Sequence, residues 1–313
     1  MGAKHLLRIG ISAAVVVAIL IRVPGHSLQA AFRGVSLAWL LVALLCVAGM
    51  LATRYYRWHR LLAAGGIAMS RRDAGRSLLG GFTLSLITPG RAGELGRCLF
   101  VEEAARAPVL MLNVLDRALD MWALLTCAVL SLMALDPRPH GIFALGVWLA
   151  LLPAAMGLPA FVSHVGGIPW WPAALREKLH ATSRQIADIQ VPAFSAWALV
   201  STSLDLLTFY CLLRALQPVS LVAVLMAFPL IIIVGGLPIS ISGLGPREGV
   251  AAVLLARYAV PSAVAIDATL LLWVFSAVLP AVAGGVWLLV SGAPLPRFAF
   301  GANYPGATEK QSA

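Results

Sequence analysis

Charged side chains are scarce in this sequence. Asp, Glu, Lys and Arg make up 12% of its 313 residues, and hydrophobic residues make up 60%, whereas soluble domains usually carry about 25% charged residues. The core of one soluble domain cannot bury so many apolar side chains. The composition therefore predicts an integral membrane protein.

Cysteine and histidine are also few, with four and six copies. The cysteines lie in or beside apolar segments and none forms a CxxC pair, so we expect buried thiols without a disulfide framework. The histidines form neither HExxH nor another ligand spacing, and no Ser-His-Asp arrangement is evident. EEAAR (102–106) matches the EExxxR motif of intramembrane CAAX-type proteases but lacks the histidines those enzymes need. We therefore expect no metal, no cofactor and no enzymatic activity.

Acidic residues number 13 against 23 basic ones, which gives a net charge of +10. Six arginines fall between two apolar runs with only Asp73 against them: Arg54, Arg57, Arg60, Arg71, Arg72 and Arg76. This bias predicts a cytoplasmic loop between two spans, and we expect that loop to attract anionic lipid headgroups. No basic-aromatic module accompanies the arginines, so we expect no nucleic-acid partner.

Apolar runs of about 20 residues predict six membrane spans. They lie near 6–23, 35–53, 107–135, 141–164, 192–214 and 262–291. Small-x-small cleavage sites do not follow the first run, so we interpret it as a retained helix rather than a signal peptide.

Two further apolar stretches are interrupted by helix breakers. Residues 71–106 contain Thr88-Pro89-Gly90, and residues 219–258 contain GGLPISISGLGPREG (235–249). Broken backbone is tolerated in a bilayer only where protein or a wet cavity satisfies its polar groups. We interpret both stretches as re-entrant hairpins. Ser70 and Asp73 form a capping-box pattern that marks the start of the helix entering the first.

The order of spans and hairpins predicts an all-α polytopic protein with one domain, residues 1–292, and a short polar tail, 293–313. Lys4 and Arg8 favour a cytoplasmic N-terminus, which places 136–140 outside and the C-terminus inside. Each half, about 1–138 and 139–292, contains two spans, a hairpin and a third span, in that order. This order indicates an inverted repeat of the kind found in secondary transporters. Eight ordinary helices with functional loops are the alternative.

Charged residues follow both breaks. Arg91, Glu94 and Arg97 follow Pro89-Gly90, whereas Gly243, Gly245 and Pro246 precede Arg247 and Glu248. A glycine-rich turn leading into a helix N-terminus offers N–H groups to an anion, and an adjacent arginine adds bidentate recognition. The glutamates would neutralise the arginines when no ligand is bound. Alternatively, the Arg–Glu pairs only fasten the hairpin tips.

A polar stripe marks the third predicted span. Asn113, Asp116, Arg117 and Asp120 lie on an otherwise apolar helix, so we expect them to face the bundle interior. The sequence leaves two roles for this stripe: a part in transport, or an ion pair that locks helices together. Asp205, in a later span, fits an interhelical hydrogen bond better than proton coupling.

The residues from 54 to 97 resemble the signature of the lysylphosphatidylglycerol synthase transmembrane-region family. That signature is R-W-x-x-L-L followed by x-P-G-R-x-G-E-x-x-R, matched here by Arg57, Trp58, Leu61, Leu62, Pro89, Gly90, Arg91, Gly93, Glu94 and Arg97. LDRALD (115–120) resembles the family's E-R-x-x-D, with Asp116 where Glu is usual. SISGLGPREG (240–249) resembles S-P-G-G-L-G-x-R-E-G, with Ser242 where Gly is frequent.

The resemblance implies a flippase-like protein that moves a phospholipid, hopanoid or polyprenyl-linked sugar across the inner membrane. The soluble aminoacyl-transfer domain of bifunctional members is not expected here. We expect headgroup contacts from Arg91, Arg97 and Arg247, and charge balance from Glu94, Glu248 and the Asp116-Arg117-Asp120 group. The hairpin tips should meet, with Glu94 or Arg97 reaching residues 243–248 and the stripe lining the same cavity.

Two other classes of function remain possible from the sequence. One is a non-transporting accessory subunit that presents lipid to a lipid- or glycan-modifying enzyme. The other is a membrane enzyme acting on lipid phosphates, for which the sequence shows no base or nucleophile constellation. Beyond membrane lipids, the expected partners are such an enzyme or further copies of the chain.

Overall fold

The computed structural model describes residues 36–86, 88, 92–101, 105–135, 164, 177, 180, 183–184, 189–237 and 243–290. Within these ranges the regular structure is entirely helical. These ranges contain eight α-helices. A 3₁₀ helix, Ala92–Phe100, lies between the second and the third, and a π-helical segment, Val274–Val278, lies between the last two. The α-helices are α1 Leu37–Ala64, α2 Arg71–Ser85, α3 Arg106–Leu135, α4 Val191–Leu216, α5 Leu221–Gly236, α6 Pro246–Ala256, α7 Ser262–Trp273 and α8 Leu279–Val290.

In the part of the chain that the structure describes, three helical stretches are long and apolar enough to cross a membrane. They are Leu37–Ala64, Val191–Leu216 and the continuous run Ser262–Trp287. Helix α3 has 30 residues, which corresponds to about 45 Å at 1.5 Å per residue. The predicted all-α membrane fold is confirmed, and α3, α4 and α7–α8 match three predicted spans within a few residues.

The prediction that Arg54 and Arg57 lie in a loop between two spans is wrong. Helix α1 continues eleven residues past the predicted end of its span, and both Arg54 and Arg57 lie on it. Their side chains are only 9% and 0% exposed. Carboxylates on other helices neutralise both guanidinium groups. The helix can therefore continue through the bundle past the two arginines.

Both interrupted stretches form a helix, a break and a second helix that packs against the first. Helix α2 packs against the 3₁₀ helix, and α5 packs against α6. The first break includes residues 87 and 89–91 and the second includes 238–242, and these residues lie outside the described ranges. The broken-helix pattern is confirmed, whereas the re-entrant membrane position stays a prediction.

Glycines let the two halves of each hairpin approach closely. A Cβ on Gly93 would overlap the backbone of Leu84, and a Cβ on Gly243 would overlap the carbonyl of Gly235. Gly243 also has a φ of +77°, a conformation that side chains with a Cβ rarely adopt. The glycines of both motifs therefore have a packing role.

Helix α3 joins two groups of buried apolar residues. Leu112 and Leu119 pack with Trp58 and Phe82 in the first group, whereas Leu124 packs in the second, which also contains residues of α4, α5, α6 and α7. The charged stripe of α3 ends at Asp120, and Trp122 and Ala123, which follow it, still belong to the first group. The polar residues thus lie within the part of α3 that packs in the first group.

The predicted N-cap of α2 is confirmed, because the Ser70 hydroxyl accepts a hydrogen bond from the Asp73 backbone N–H at 3.1 Å. Ser70→Ala is expected to lower the free energy of unfolding by about 1 kcal/mol. Unfolding in mixed micelles, followed by circular dichroism, measures the change. Ser36→Ala is the matched control, since Ser36 precedes α1 without a side-chain capping bond. Equal losses in the two variants would contradict the capping role.

Several predictions fall outside the described ranges. These are the first span (6–23), the fourth span (141–164, of which only residue 164 is described), the external turn 136–140 and Arg91. The inverted repeat, the domain halves and the sidedness of the termini depend on these segments and stay predictions.

Candidate functional site

Asp116 is the centre of a buried ion-pair network. Its Oδ1 lies 2.7 Å from Nη2 of Arg57, and its Oδ2 lies 2.7 Å from Nη1 of Arg97 and 2.9 Å from Nη2 of Arg117. The Asp116 side chain is only 2% exposed. Three guanidinium groups on one carboxylate supply the compensation that a buried charge requires.

Arg117 connects the first hairpin to α3. Its Nη1 lies 2.5 Å from Oε2 of Glu94, and its Nη2 lies 2.8 Å from Oδ2 of Asp120. The Asn113 side chain also donates a hydrogen bond to the Glu94 backbone carbonyl at 2.7 Å. Two polar side chains of α3 thus hold the 3₁₀ helix at Glu94.

Helix α1 contributes two further arginines. Arg57 donates to Oδ1 of Asp120 at 2.5 Å, in addition to its contact with Asp116. Arg54 donates to Oδ2 of Asp205 on α4 at 2.7 Å. Arg54 also interacts electrostatically with Asp120 and Glu94, which joins this pair to the network. The network then contains four arginines and four carboxylates with a formal net charge of zero: Arg54, Arg57, Arg97, Arg117, Glu94, Asp116, Asp120 and Asp205.

Neighbouring groups fix the orientation of Arg97. Its guanidinium carbon lies 4.9 Å from the centre of the Trp58 ring, within cation–π range. Its backbone carbonyl accepts a hydrogen bond from the Ser77 hydroxyl at 3.0 Å. Trp58 and Ser77 are both buried. This residue is therefore held from α1, α2 and α3 at once.

One side of the network faces a cavity of about 210 Å³. Its charged wall consists of Arg54, Glu94, Arg117, Asp120 and Asp205. The apolar wall comes from Met121 and Leu124 on α3 and from Phe228 and Ile232 on α5. The cavity thus combines a charged surface with an apolar one, which is the pairing an amphiphile requires.

The second motif forms a local pair. Arg247 lies 2.7 Å from Oε1 of Glu248, whose Oε2 accepts the backbone N–H of Gly245 at 2.5 Å. The predicted helix start at Pro246 is confirmed. However, the Gly245 N–H, which we expected to be offered to an anion, is occupied by the carboxylate of Glu248.

The second hairpin reaches the cavity through its first helix. Gly236, the last residue of α5, lines the cavity. The side chain of Arg247 packs over Gly235, with its Cδ 3.3 Å from the position a Cβ would take there. Arg247 is therefore adjacent to the end of α5 that borders the charged wall.

The profile of the lysylphosphatidylglycerol synthase TM region matches residues 5–284 of the chain. The chain belongs to this family. The matched range includes both hairpins and all eight residues of the ion-pair network. No curated protein matches the sequence. Membership in the lysylphosphatidylglycerol synthase TM-region family places the protein in a membrane and relates it to membrane lipids.

The family motif residues divide into two groups in space. Glu94, Arg97, Asp116, Arg117 and Asp120 come together in the network, and the expectation that the α3 stripe faces the interior is confirmed. Gly243, Gly245, Arg247 and Glu248 form the second motif at the start of α6. Direct contact between Glu94 or Arg97 and residues 243–248 stays a prediction.

Two site residues were missed by the sequence analysis. Arg54 and Arg57 were assigned to a loop, yet they hold Asp205, Asp116 and Asp120. Their spacing of three residues places them on one helical face, and this was the available signal. The expected interhelical contact of Asp205 is confirmed, with Arg54 as its partner.

Proposed function

We propose that this protein moves a lipid with a polar or anionic headgroup from one leaflet of the inner membrane to the other, without chemical change to the lipid. The observation that carries the proposal is the cavity whose charged wall belongs to a buried ion-pair network and whose other wall is apolar. Buried charges inside a membrane protein are costly and commonly mark a substrate pathway.

In this proposal the headgroup exchanges partners with the network. Arg117 and Arg54 are the two guanidinium groups on the cavity wall, and each is held by carboxylates. A phosphate oxygen that contacts Arg117 would compete with Glu94, the carboxylate that ties this arginine to the first hairpin. Release of Glu94 would remove one of three contacts between the 3₁₀ helix and α3, and it would leave the Asn113 hydrogen bond and the Arg97–Asp116 ion pair. Headgroup binding would thereby weaken the attachment of the first hairpin to α3.

The apolar wall has a complementary role. Met121, Leu124, Phe228 and Ile232 offer no hydrogen bond to a headgroup, and they suit the glycerol and upper chain region of a lipid. Binding would thus orient the lipid, with its headgroup towards Arg117 and its chains towards α5.

Reconstitution of the purified protein tests the proposal. Vesicles containing fluorescent short-tail phospholipids should lose outer-leaflet fluorescence to dithionite and then lose inner-leaflet fluorescence as lipid is exchanged, faster than protein-free vesicles. Binding of lipid without exchange between leaflets would favour an accessory subunit that presents lipid to an enzyme. Conversion of the lipid to a new product would indicate an enzyme.

A further inference from the structure

We infer that the cavity selects a headgroup that carries one ammonium and one phosphate, with no net charge. This inference rests on the proposed function and specifies its substrate. It is carried by the charge distribution around the cavity, which differs between the wall and the layer behind it.

The cavity wall is richer in carboxylates than in guanidinium groups. Among the described residues, Glu94, Asp120 and Asp205 face two arginines, Arg54 and Arg117. The layer behind the wall holds Arg57, Arg97 and Asp116 and so has the opposite excess. The two layers cancel. A headgroup with net negative charge would therefore face three carboxylates against two guanidinium groups, and it would leave the assembly with an uncompensated charge in a low-dielectric region.

The arginines nevertheless retain donors for an anionic group. Nε of Arg54 and Nε of Arg117 are buried and have no hydrogen-bond acceptor, so a headgroup would reach them only after these guanidinium groups shift from their present positions. Each buried donor without an acceptor is unfavourable, by roughly 1–3 kcal/mol. Phosphate oxygens are suitable acceptors for guanidinium groups. The N–H donors without an acceptor favour binding of a phosphate. The carboxylates of the cavity wall favour a cation on the same headgroup.

A zwitterionic headgroup satisfies both conditions by exchange of partners. Its phosphate pairs with Arg117 or Arg54, and its ammonium pairs with the carboxylate that the arginine releases. One Arg–carboxylate pair is replaced by two pairs with the headgroup, and the net charge of the site does not change. The carboxylates of Glu94 and Asp205 lie on the same wall as both arginines, so both exchanges can occur within one cavity.

Thermal unfolding of the purified full chain in detergent, titrated with short-chain lipids, measures the preference, because a ligand that binds the folded state raises the Tm. Dihexanoyl-phosphatidylethanolamine should bind at least tenfold more tightly than dihexanoyl-phosphatidylglycerol. Equal or tighter binding of phosphatidylglycerol would overturn the zwitterion and leave the proposed function standing. If neither lipid binds, both the preference for a zwitterion and the proposed function are contradicted.

Charge variants of one pair provide a sharper test. Asp205→Asn removes a wall carboxylate and leaves Arg54 unpaired, so the preference should shift by at least tenfold towards phosphatidylglycerol. Arg54→Gln combined with Asp205→Asn restores neutrality and should restore the preference for phosphatidylethanolamine, even if both lipids bind more weakly. An unchanged preference in Asp205→Asn would contradict the inference.

Two controls complete the design. Asp267→Asn removes a carboxylate from α7 that does not line the cavity, and it should leave the preference unaltered. Glycerophosphoethanolamine carries the same headgroup without acyl chains and should bind much more weakly than the lipid. Affinity equal to that of the lipid would keep the zwitterion and overturn a lipid as the ligand.

Discussion

Arg57→Met is expected to lower the free energy of unfolding by about 3–5 kcal/mol, the range found when one partner of a buried ion pair is removed. The Arg57 side chain is fully buried and contacts both Asp116 and Asp120. Methionine fills a similar volume without charge, so the loss arises from carboxylates left with too little compensation. Denaturant titration in mixed micelles measures the change.

The same helix provides the matched control. Arg60 lies one turn further along α1 and is exposed, so Arg60→Met should change stability by no more than about 0.5 kcal/mol. The double variant Arg57→Met with Asp120→Asn returns the network to equal numbers of charges and should regain a large part of the loss. If Arg57→Met and Arg60→Met cost the same, the network does not stabilise the fold.

Arg117→Gln is expected to reduce lipid exchange between leaflets by about 10- to 100-fold. Hydrogen bonds to charged groups contribute about 1.5–3 kcal/mol each, and Arg117 makes such contacts with Glu94, Asp116 and Asp120. Glutamine keeps part of the side-chain length but carries neither the charge nor the forked donors. The dithionite assay in vesicles gives the rate.

The role of Arg117 needs to be separated from its effect on folding. The Tm and the amount of protein inserted in vesicles are measured for each variant, and rates are compared per inserted protein. Arg117→Lys keeps the charge and should recover only part of the rate, because one ammonium cannot replace two forked Nη groups that serve three carboxylates. Arg60→Gln should exchange lipid at the wild-type rate. A wild-type rate in Arg117→Gln would exclude this residue from the pathway.

Composition and local sequence pattern were enough to predict the class of fold and the position of its breaks. A content of 60% hydrophobic residues required a membrane protein, and runs of about 20 apolar residues located α3, α4 and α7–α8. Proline and glycine located both interruptions, because each acts on the backbone through local geometry. The stripe at Asp116, Arg117 and Asp120 also indicated an inward face, since charges on a membrane helix avoid lipid.

Which residues form the ion-pair network became known only from the three-dimensional structure. Arg57 pairs with Asp120 across 63 residues of chain, and Arg54 pairs with Asp205 across 151. A local hydropathy pattern treats each of these charges as unfavourable in a span, because the compensating group is distant in the sequence. The arginines were therefore assigned to a loop, although their helix continues through the bundle.

The contacts of the second motif, in contrast, are local. Its turn, its proline and its helix start follow from the local sequence, and Glu248 stands three residues after Gly245, the capping-box position from which its carboxylate accepts the Gly245 N–H. The carboxylate of Glu248 folds back onto its own helix start, while Arg247 turns towards the same carboxylate and packs over Gly235. The partners of Arg57 and Arg54, by contrast, lie 63 and 151 residues away along the chain. Such partners are known only from the tertiary structure, because electrostatic compensation acts through space.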